Sequence, residues 1–152
     1  MTPIRTVRIA ERVILNRLNE ATEELGIIPH YQLGFREGHS TTHQLVRLTE
    51  HITEKMNIST PTAAIFLDVE EAFNRVWHAG LVHKMARARV PGPLIQPIRH
   101  YLTNRKFHVV VENEASSTRL ILAGVPQRSV LGPHLFNLYM YYTRPLEGGP
   151  VR

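Results

Sequence analysis

The chain has 152 residues, of which 18 are Lys or Arg and 13 are Asp or Glu, so its formal net charge is +5. This length is enough for one domain with a hydrophobic core, and the basic balance favours polyanions as partners. The absence of cysteine excludes disulfides and thiolate metal sites. No apolar run approaches the roughly 18 residues of a membrane span or forms a signal-peptide core, so we expect a protein that is neither secreted nor transmembrane.

The first third of the chain has the spacing of two amphipathic helices. The first helix is predicted over residues 4–25, ends at Gly26 and buries Val7, Ala10, Ile14, Leu18, Ala21 and Leu25. Residues 29–38 are predicted to form a loop. The second helix is predicted to begin at Thr41, whose spacing to Gln44 fits a capping box, and to bury Leu45, Leu48, Ile52 and Met56.

A short apolar run ends at an acidic residue in the middle of the chain. Residues 64–67, Ala-Ile-Phe-Leu, contain no polar break, which is typical of a strand covered on both faces. Asp68 follows directly and would emerge where this strand leaves the core. A hard oxygen ligand at such an edge suits Mg²⁺, but an aspartate there is, taken alone, more often a helix cap or a hydrogen-bond acceptor.

The second half of the chain changes from helical to strand patterns and back. A helical pattern over residues 70–89 is expected in two pieces around Gly80, and the next helix should turn inward Leu94, Ile98, Tyr101 and Leu102. Alternating residues predict a β-hairpin over 107–122 with a loop of about five residues. Residues 144–152 are predicted to be disordered. The helix before them, over 128–142, should bury Leu131, Leu135, Leu138 and Tyr142.

Three motifs in a fixed order carry a resemblance to a known family. They are Gln32–Arg36 with Ser40–Thr42, the run from Asp68 to Leu81 that contains Trp-His-Ala-Gly-Leu, and Ala123–Pro133. With these motifs the chain resembles, over nearly its whole length, the reverse transcriptase domain of non-LTR retrotransposons, the jockey-like group in particular. The resemblance implies an α+β fold, the fingers and partial palm of a right-hand polymerase, as one partial domain over residues 1–143.

The resemblance also assigns roles to five residues. Such polymerases join nucleotides with two Mg²⁺ ions. By resemblance Asp68 is the first catalytic aspartate and, with the carbonyl of Val69, a metal ligand. Phe73 matches the aromatic residue that packs beneath the incoming sugar, and Gln127 matches the glutamine that contacts the incoming nucleotide. Arg36 lies where a basic side chain could meet the triphosphate, although a solvated arginine is an equally good interpretation.

Three positions depart from the family pattern within its own motifs. Glu71 stands where the family usually has lysine, Asn74 where it has aspartate, and Arg128 where it has glycine. Exchanging attraction for repulsion at ~4 Å from a triphosphate shifts the free energy by roughly 2 kcal/mol in water and roughly 8 kcal/mol at an intermediate dielectric. A positive φ at Arg128 would add roughly 1–2 kcal/mol of strain.

The family's next motif, Tyr-Ala-Asp-Asp, does not occur in this sequence. Because the other catalytic carboxylates come from that motif, Asp68 alone offers each Mg²⁺ too few ligands to compete with water. Glu70 and Glu71 are expected on a helix that leaves Asp68, so they are not substitutes. We therefore predict an RNA-directed DNA polymerase fragment that is inactive by itself, intracellular in the nucleus or cytoplasm, with RNA template, DNA primer and dNTP as partners by resemblance.

Two other functions stay open at this stage. The chain could be a non-catalytic nucleic-acid-binding remnant, whose affinity would fall steeply with salt and ignore magnesium. It could also be a product without function that folds marginally and exposes palm surface. In the remnant, phosphate contacts would come from Arg36, Arg47, Lys84, Arg87, Arg89, Arg99, Arg105 and Lys106.

Overall fold

The computed structural model describes residues 3–36 and 38–141, and the chain divides into two compact units. The larger unit consists of Met1–Ile28 with Glu71–Arg152, and the smaller unit is Pro29–Glu70. Five helices and four short strands occur in the described part, which confirms the α+β class. No helix in this part is long and apolar enough to cross a membrane. The predicted disordered tail over 144–152 lies outside the described residues.

The first helix, α1, spans Pro3–Glu24, close to its predicted bounds. Gly26 has a φ of 59° and ends the helix as predicted. The amides of Gly26 and Ile27 bond back to the carbonyls of Glu23 and Thr22 at 3.0 and 2.9 Å. This Schellman arrangement requires a left-handed residue, which glycine adopts without steric cost.

The buried face of α1 differs from the predicted stripe. Leu18 is fully buried as expected, but Glu11 and Thr22 are buried as well, whereas Val7 and Leu25 are exposed. The spacing of apolar residues predicted the wrong buried face, because this rule assigns only apolar side chains to the core. It therefore omits polar side chains that are buried with hydrogen-bond partners. Glu11 and Thr22 both have hydrogen bonds within the fold, which makes their burial possible.

The second helix, α2, spans Thr41–Asn57 and is capped one residue earlier than predicted. The Oγ of Ser40 accepts the amide of His43 at 3.4 Å, and Nδ1 of His43 accepts the amide of Ser40 at 3.3 Å. The predicted pair of Thr41 and Gln44 is therefore wrong. The sequence rule expects Glu or Gln at the third helical position, and here a histidine nitrogen acts as the acceptor instead.

The predicted core face of α2 is only partly formed. Leu48 and Ile52 are half-buried, Leu45 and Met56 are exposed, and no residue of this helix is fully buried. Within the described part of the smaller unit α2 is the only helix, so no second helix of that unit covers this face.

The apolar run before Asp68 does not form the predicted strand. Residues 60–69 have no regular secondary structure. Ile65, Phe66 and Leu67 are 86%, 81% and 89% exposed, the reverse of the predicted burial. A strand buried on both faces needs a neighbouring strand for its backbone groups and cover above and below. The strand pairs of the described residues include no partner for this run, so the prediction is wrong for this chain.

The core of the larger unit lies among α1 and three further helices: α3 (His78–Arg87), α4 (Gly92–Leu102) and α5 (Gly132–Met140). As predicted, the apolar stripes of α4 and α5 pack into this core. Tyr142, which was also predicted to be buried, lies outside the described residues. The most deeply buried apolar side chains are Leu18, Ile27, Val76, Leu81, Met85, Ile98, Leu102, Leu131 and Leu135.

Two predicted helix boundaries in this unit are wrong. The helix over 70–89 was expected in two pieces, but residues 70–75 form turns and α3 runs through Gly80 without a break. A Cβ on Gly80 would overlap Cε3 of the Trp77 ring, so the glycine serves close packing and not a helix end. The last helix begins later than predicted, because Arg128 has a φ of 60° and cannot be part of it.

The predicted hairpin forms, with a tighter turn than expected. Strands β2 (Val110–Val111) and β3 (Glu114–Ala115) are joined by Glu112 and Asn113, which have φ values of 49° and 71°. Two consecutive left-handed residues favour a type I′ turn, so the predicted loop of about five residues is wrong. Strands β1 (Lys106–Phe107) and β4 (Arg119–Leu120) pair farther from the turn.

A bulge separates the two strand pairs of the hairpin. Two residues, 108 and 109, oppose three residues, 116 to 118, between the paired positions. The hydroxyl of Ser116 accepts the amide of Val109 at 2.9 Å, and the amide of Ser116 bonds to the carbonyl of Val109 at 2.8 Å. All four strands are exposed, so the extra residue shifts the register without breaking a core.

Candidate functional site

The structure joins two of the three sequence motifs within the larger unit. The amide of Gly124 bonds to the carbonyl of Val76 at 2.8 Å, and the amide of Val125 bonds to the carbonyl of Phe73 at 2.9 Å. Trp77 and Ala123 form an antiparallel bridge beside these bonds. The turn that follows Asp68 in the sequence is therefore bonded, backbone to backbone, to the segment that leads to Gln127.

Gly124 allows this close approach. Its φ is 90°, and a Cβ on it would lie 2.9 Å from the carbonyl oxygen and 3.0 Å from the Cα of Asn74. Both contacts are to backbone, so neither can be relieved by turning a side chain. His78 adds a further tie, because its Nε2 donates to the carbonyl of Gly124 at 2.8 Å. The sequence therefore needs glycine at this position for both conformation and space.

Three of the predicted site residues meet at this junction. Phe73 is half-buried and stacks on Phe136 of α5, with ring centroids 4.9 Å apart and an interplanar angle of 30°. Next to it, Asn74 Oδ1 accepts a hydrogen bond of 3.1 Å from Nε2 of Gln127. Asn74 and Gln127 are both exposed. The junction thus presents two amide side chains at the surface beside an aromatic ring held by the core.

The other predicted site residues belong to the smaller unit. Asp68 and Val69 belong to the smaller unit and are exposed. Arg36, also in the smaller unit, is half-buried, and its carbonyl accepts the amide of His39 at 3.2 Å.

The structure also places the departures from the family pattern in the larger unit. Glu71 is exposed with a φ of 52°, and its carbonyl accepts the amides of Asn74 and Arg75 at 2.8 and 3.1 Å. It lies in a turn and not on the predicted helix, which corrects the expectation for Glu70 and Glu71. Arg128 has a φ of 60°, so the left-handed conformation that would strain a non-glycine residue is present.

The side chains around Asp68 do not fit a magnesium site by themselves. In the range 3–36 and 38–141, no three His, Cys, Asp or Glu side chains are placed to hold a metal ion. Mg²⁺ requires near-octahedral oxygen ligands and is usually held by one or two carboxylates together with substrate phosphates. One exposed carboxylate therefore gives too little protein coordination to fix the ion.

Sequence reasoning missed the buried carboxylate that fixes the segment after Gln127. Glu11 on α1 accepts the amide of Val130 and the hydroxyl of Tyr101, both at 2.8 Å. Burial raises the pKa of Tyr101 to about 12, with the Glu11 carboxylate as a further cause. The sequence did contain a signal for the burial of Glu11. Glu11 stands three residues before Ile14 and seven before Leu18, which places it on the same helical face as these apolar residues.

Lys84, which the sequence offered as a phosphate contact, has contacts within the fold. Its ammonium donates to the backbone carbonyl of Tyr139 and lies 4.4 Å from the centroid of the Tyr139 ring. Burial lowers the pKa of Lys84. This lysine ties α3 to α5, so it is engaged within the fold and is a weaker candidate for phosphate contact.

Comparison with known proteins agrees with these motifs. The family model described as "Reverse transcriptase (RNA-dependent DNA polymerase)" matches residues 2–144, so the chain belongs to this family. It is 44% identical over 132 residues to the "Probable RNA-directed DNA polymerase from transposon BS" of Drosophila melanogaster. It is also 42% identical over 132 residues to the "RNA-directed DNA polymerase from mobile element jockey" of the same species. The predicted non-LTR, jockey-like relationship is confirmed.

The chain spans a small part of these relatives. Each of the two alignments covers 87% of this chain and 14% of the relative. A third relative, the "Probable RNA-directed DNA polymerase from transposon X-element" of Drosophila melanogaster, is 40% identical over 88% of this chain and 15% of its own length. No solved structure gives a significant match.

Proposed function

We propose that this chain is a fingers and partial-palm segment, over residues 1–143, of a non-LTR retrotransposon RNA-directed DNA polymerase. In this proposal it supplies the nucleotide-facing side of the polymerase site and does not catalyse nucleotidyl transfer by itself. Its partners would be an RNA template, a DNA primer and dNTP, and it would act inside the cell, where those substrates occur.

The single observation that supports this proposal best is the junction of residues 73–77 with residues 123–127. The two segments are paired through backbone bonds, and they bring Phe73 and Gln127, the two residues matched to sugar and nucleotide contacts, to one surface. An aromatic ring locked by stacking and an amide held by a neighbouring amide are pre-organised groups, which lowers the entropic cost of binding.

The proposed lack of catalysis rests on the ligands available to the metal. Within the described part of the chain, no group of three potential metal-binding side chains completes a two-metal site around Asp68. Glu71 places a negative charge where the family usually has lysine, which would repel a triphosphate at the junction and weaken its binding. The long side chain of Arg128 would fill space that the family's usual glycine leaves open to the nucleotide. We therefore assign no catalytic step to this chain alone.

The test is primer extension on an RNA template with Mg²⁺ or Mn²⁺, with the purified chain compared with Asp68→Ala. Because Asp68 is exposed, its replacement should leave the fold intact, and circular dichroism of both proteins checks this. We expect no extension by either protein. Extension that is lost in Asp68→Ala would show that a further carboxylate completes the site, and the proposed inactivity would be wrong.

The same preparation separates the nucleotide-site proposal from the nucleic-acid-binding remnant. Gln127→Ala and Phe73→Leu should weaken dNTP binding if the junction contacts nucleotide, because both side chains belong to it. A chain that binds RNA with a steep salt dependence, and whose dNTP binding is unchanged by these substitutions, would favour the remnant.

A further inference from the structure

Three arginine side chains line one pocket on the larger unit. Arg8 and Arg12 lie one helical turn apart on α1, and Arg128 lies in the turn before α5. The pocket has a volume of about 460 Å³. Its other lining residues are Ile9, Ser129 and Val130. Two elements that are distant in the sequence thus contribute three arginines to the lining of one pocket.

The frame of this pocket is held by partly buried hydrogen bonds. One oxygen of Glu11 accepts the amide of Val130 at 2.8 Å, and the other accepts the hydroxyl of Tyr101 at 2.8 Å. The hydroxyl of Ser129 donates to the carbonyl of Pro126 at 2.9 Å. These bonds fix the backbone on both sides of the pocket, so the arginines project from rigid positions.

The three positive charges of the pocket are not paired with carboxylates among the described residues. Among the described residues, Arg8, Arg12 and Arg128 have no ion pair to a carboxylate within 4.0 Å. Glu11 is adjacent, but both of its oxygens accept other hydrogen bonds. Like charges four residues apart on a helix repel each other, and a third cation adds to this repulsion. An anion in the pocket would remove it.

We propose that this pocket binds a phosphate group, through the guanidinium groups of Arg8, Arg12 and Arg128. Planar guanidinium groups match phosphate oxygens in bidentate geometry, and three of them provide many donors. The phosphate belongs to a nucleic-acid backbone or to a polyphosphate chain such as that of a nucleotide. The inference deepens the proposed function and rests on it, because nucleic acid and dNTP are the partners proposed there, but the pocket itself uses neither Asp68 nor the paired backbone of residues 73–77 and 123–127.

The pocket gives Arg128 a role that the family pattern does not contain. Where the family usually has glycine, this chain has an arginine in a left-handed conformation with a φ of 60°. The same substitution that is expected to disturb a nucleotide at the junction adds the third cation to this pocket.

The experiment measures binding of tripolyphosphate and of a short single-stranded oligouridylate to the full chain, in buffer with EDTA. The test variants are Arg128→Gly and Arg12→Gln. The matched control is Arg17→Gln, because Arg17 is exposed on α1 like Arg12 and lies outside the pocket. Arg12→Gln and Arg17→Gln each remove one positive charge from the same helix, so they compare a position inside the pocket with one outside it. Circular dichroism checks that each variant is folded.

Arg128→Gly and Arg12→Gln should each weaken binding of at least one ligand about tenfold, because each removes charge-assisted hydrogen bonds. Arg17→Gln should bind as the unchanged chain does. Dependence on Arg128 for oligouridylate alone would identify a backbone phosphate, and dependence for tripolyphosphate alone would identify a polyphosphate. Equal losses in Arg12→Gln and Arg17→Gln, or no binding of either ligand by the folded unchanged chain, would overturn the proposal.

Discussion

Gly124→Ala tests the junction of the two motifs most directly. The substitution adds a Cβ at a position where φ is 90° and where the new atom would lie 2.9 Å from the carbonyl oxygen of Asn74. We expect about 1–2 kcal/mol of backbone strain from the left-handed conformation. Overlap with backbone that cannot rotate away should add about 1–3 kcal/mol, as in other overpacked sites. The free energy of unfolding should therefore fall by about 2–5 kcal/mol.

Two other glycines separate these contributions. Gly26→Ala introduces backbone strain without steric overlap, because the φ of Gly26 is 59° and no atom lies within 4 Å of the added Cβ. Gly92→Ala carries neither cost, because its φ is not in the left-handed region and the space around it is open. We expect Gly26→Ala to cost about 1–2 kcal/mol and Gly92→Ala to be neutral or stabilising by about 0.4–1 kcal/mol.

The assay is urea unfolding followed by circular dichroism on the four proteins. The difference between Gly124→Ala and Gly26→Ala isolates the close approach of the two segments. If Gly124→Ala costs no more than Gly26→Ala, the backbone of Asn74 does not lie against Gly124 in solution. The pairing that brings Phe73 and Gln127 together would then be refuted as well.

Two further predictions concern buried polar groups. Burial lowers the pKa of His134 to about 4 from 6.5, so its neutral ring stabilises the fold above about pH 6.5. Stability should fall by up to about 3 kcal/mol as the pH decreases from 6.5 towards 4, and equal pH dependence in His134→Leu would contradict this. Glu11→Ala leaves the Tyr101 hydroxyl and the Val130 amide without their acceptor, at roughly 1–3 kcal/mol each. Tyr101→Phe should cost less, and equal losses in urea unfolding would show that the amide bond contributes nothing.

The candidate site was predictable as a set of residues and not as a geometry. The motifs alone gave Phe73, Asn74 and Gln127, since each stands at a recognisable place in its motif. That Gln127 donates to Asn74 across more than fifty residues of sequence could not be read from either motif. Such a contact depends on how the backbone of one segment lies against the other, which the left-handed Gly124 determines.

The positions of Arg8 and Arg12 illustrate the same limit. As a sequence pattern they are two polar residues on the outer face of an amphipathic helix. Only the docking of α1 against the turn at Arg128 makes them part of one pocket.

The sequence by itself determined the family, the α+β class, and the presence of the helices of the larger unit but not all of their bounds, because local spacing and motif residues carry that information. The strand before Asp68 shows where local information ends. Its apolar residues predict burial, yet Ile65, Phe66 and Leu67 are more than four-fifths exposed. A strand is defined by its neighbours, since its backbone groups and both of its faces need partners from elsewhere in the fold. Only the tertiary structure decides whether those partners are in place.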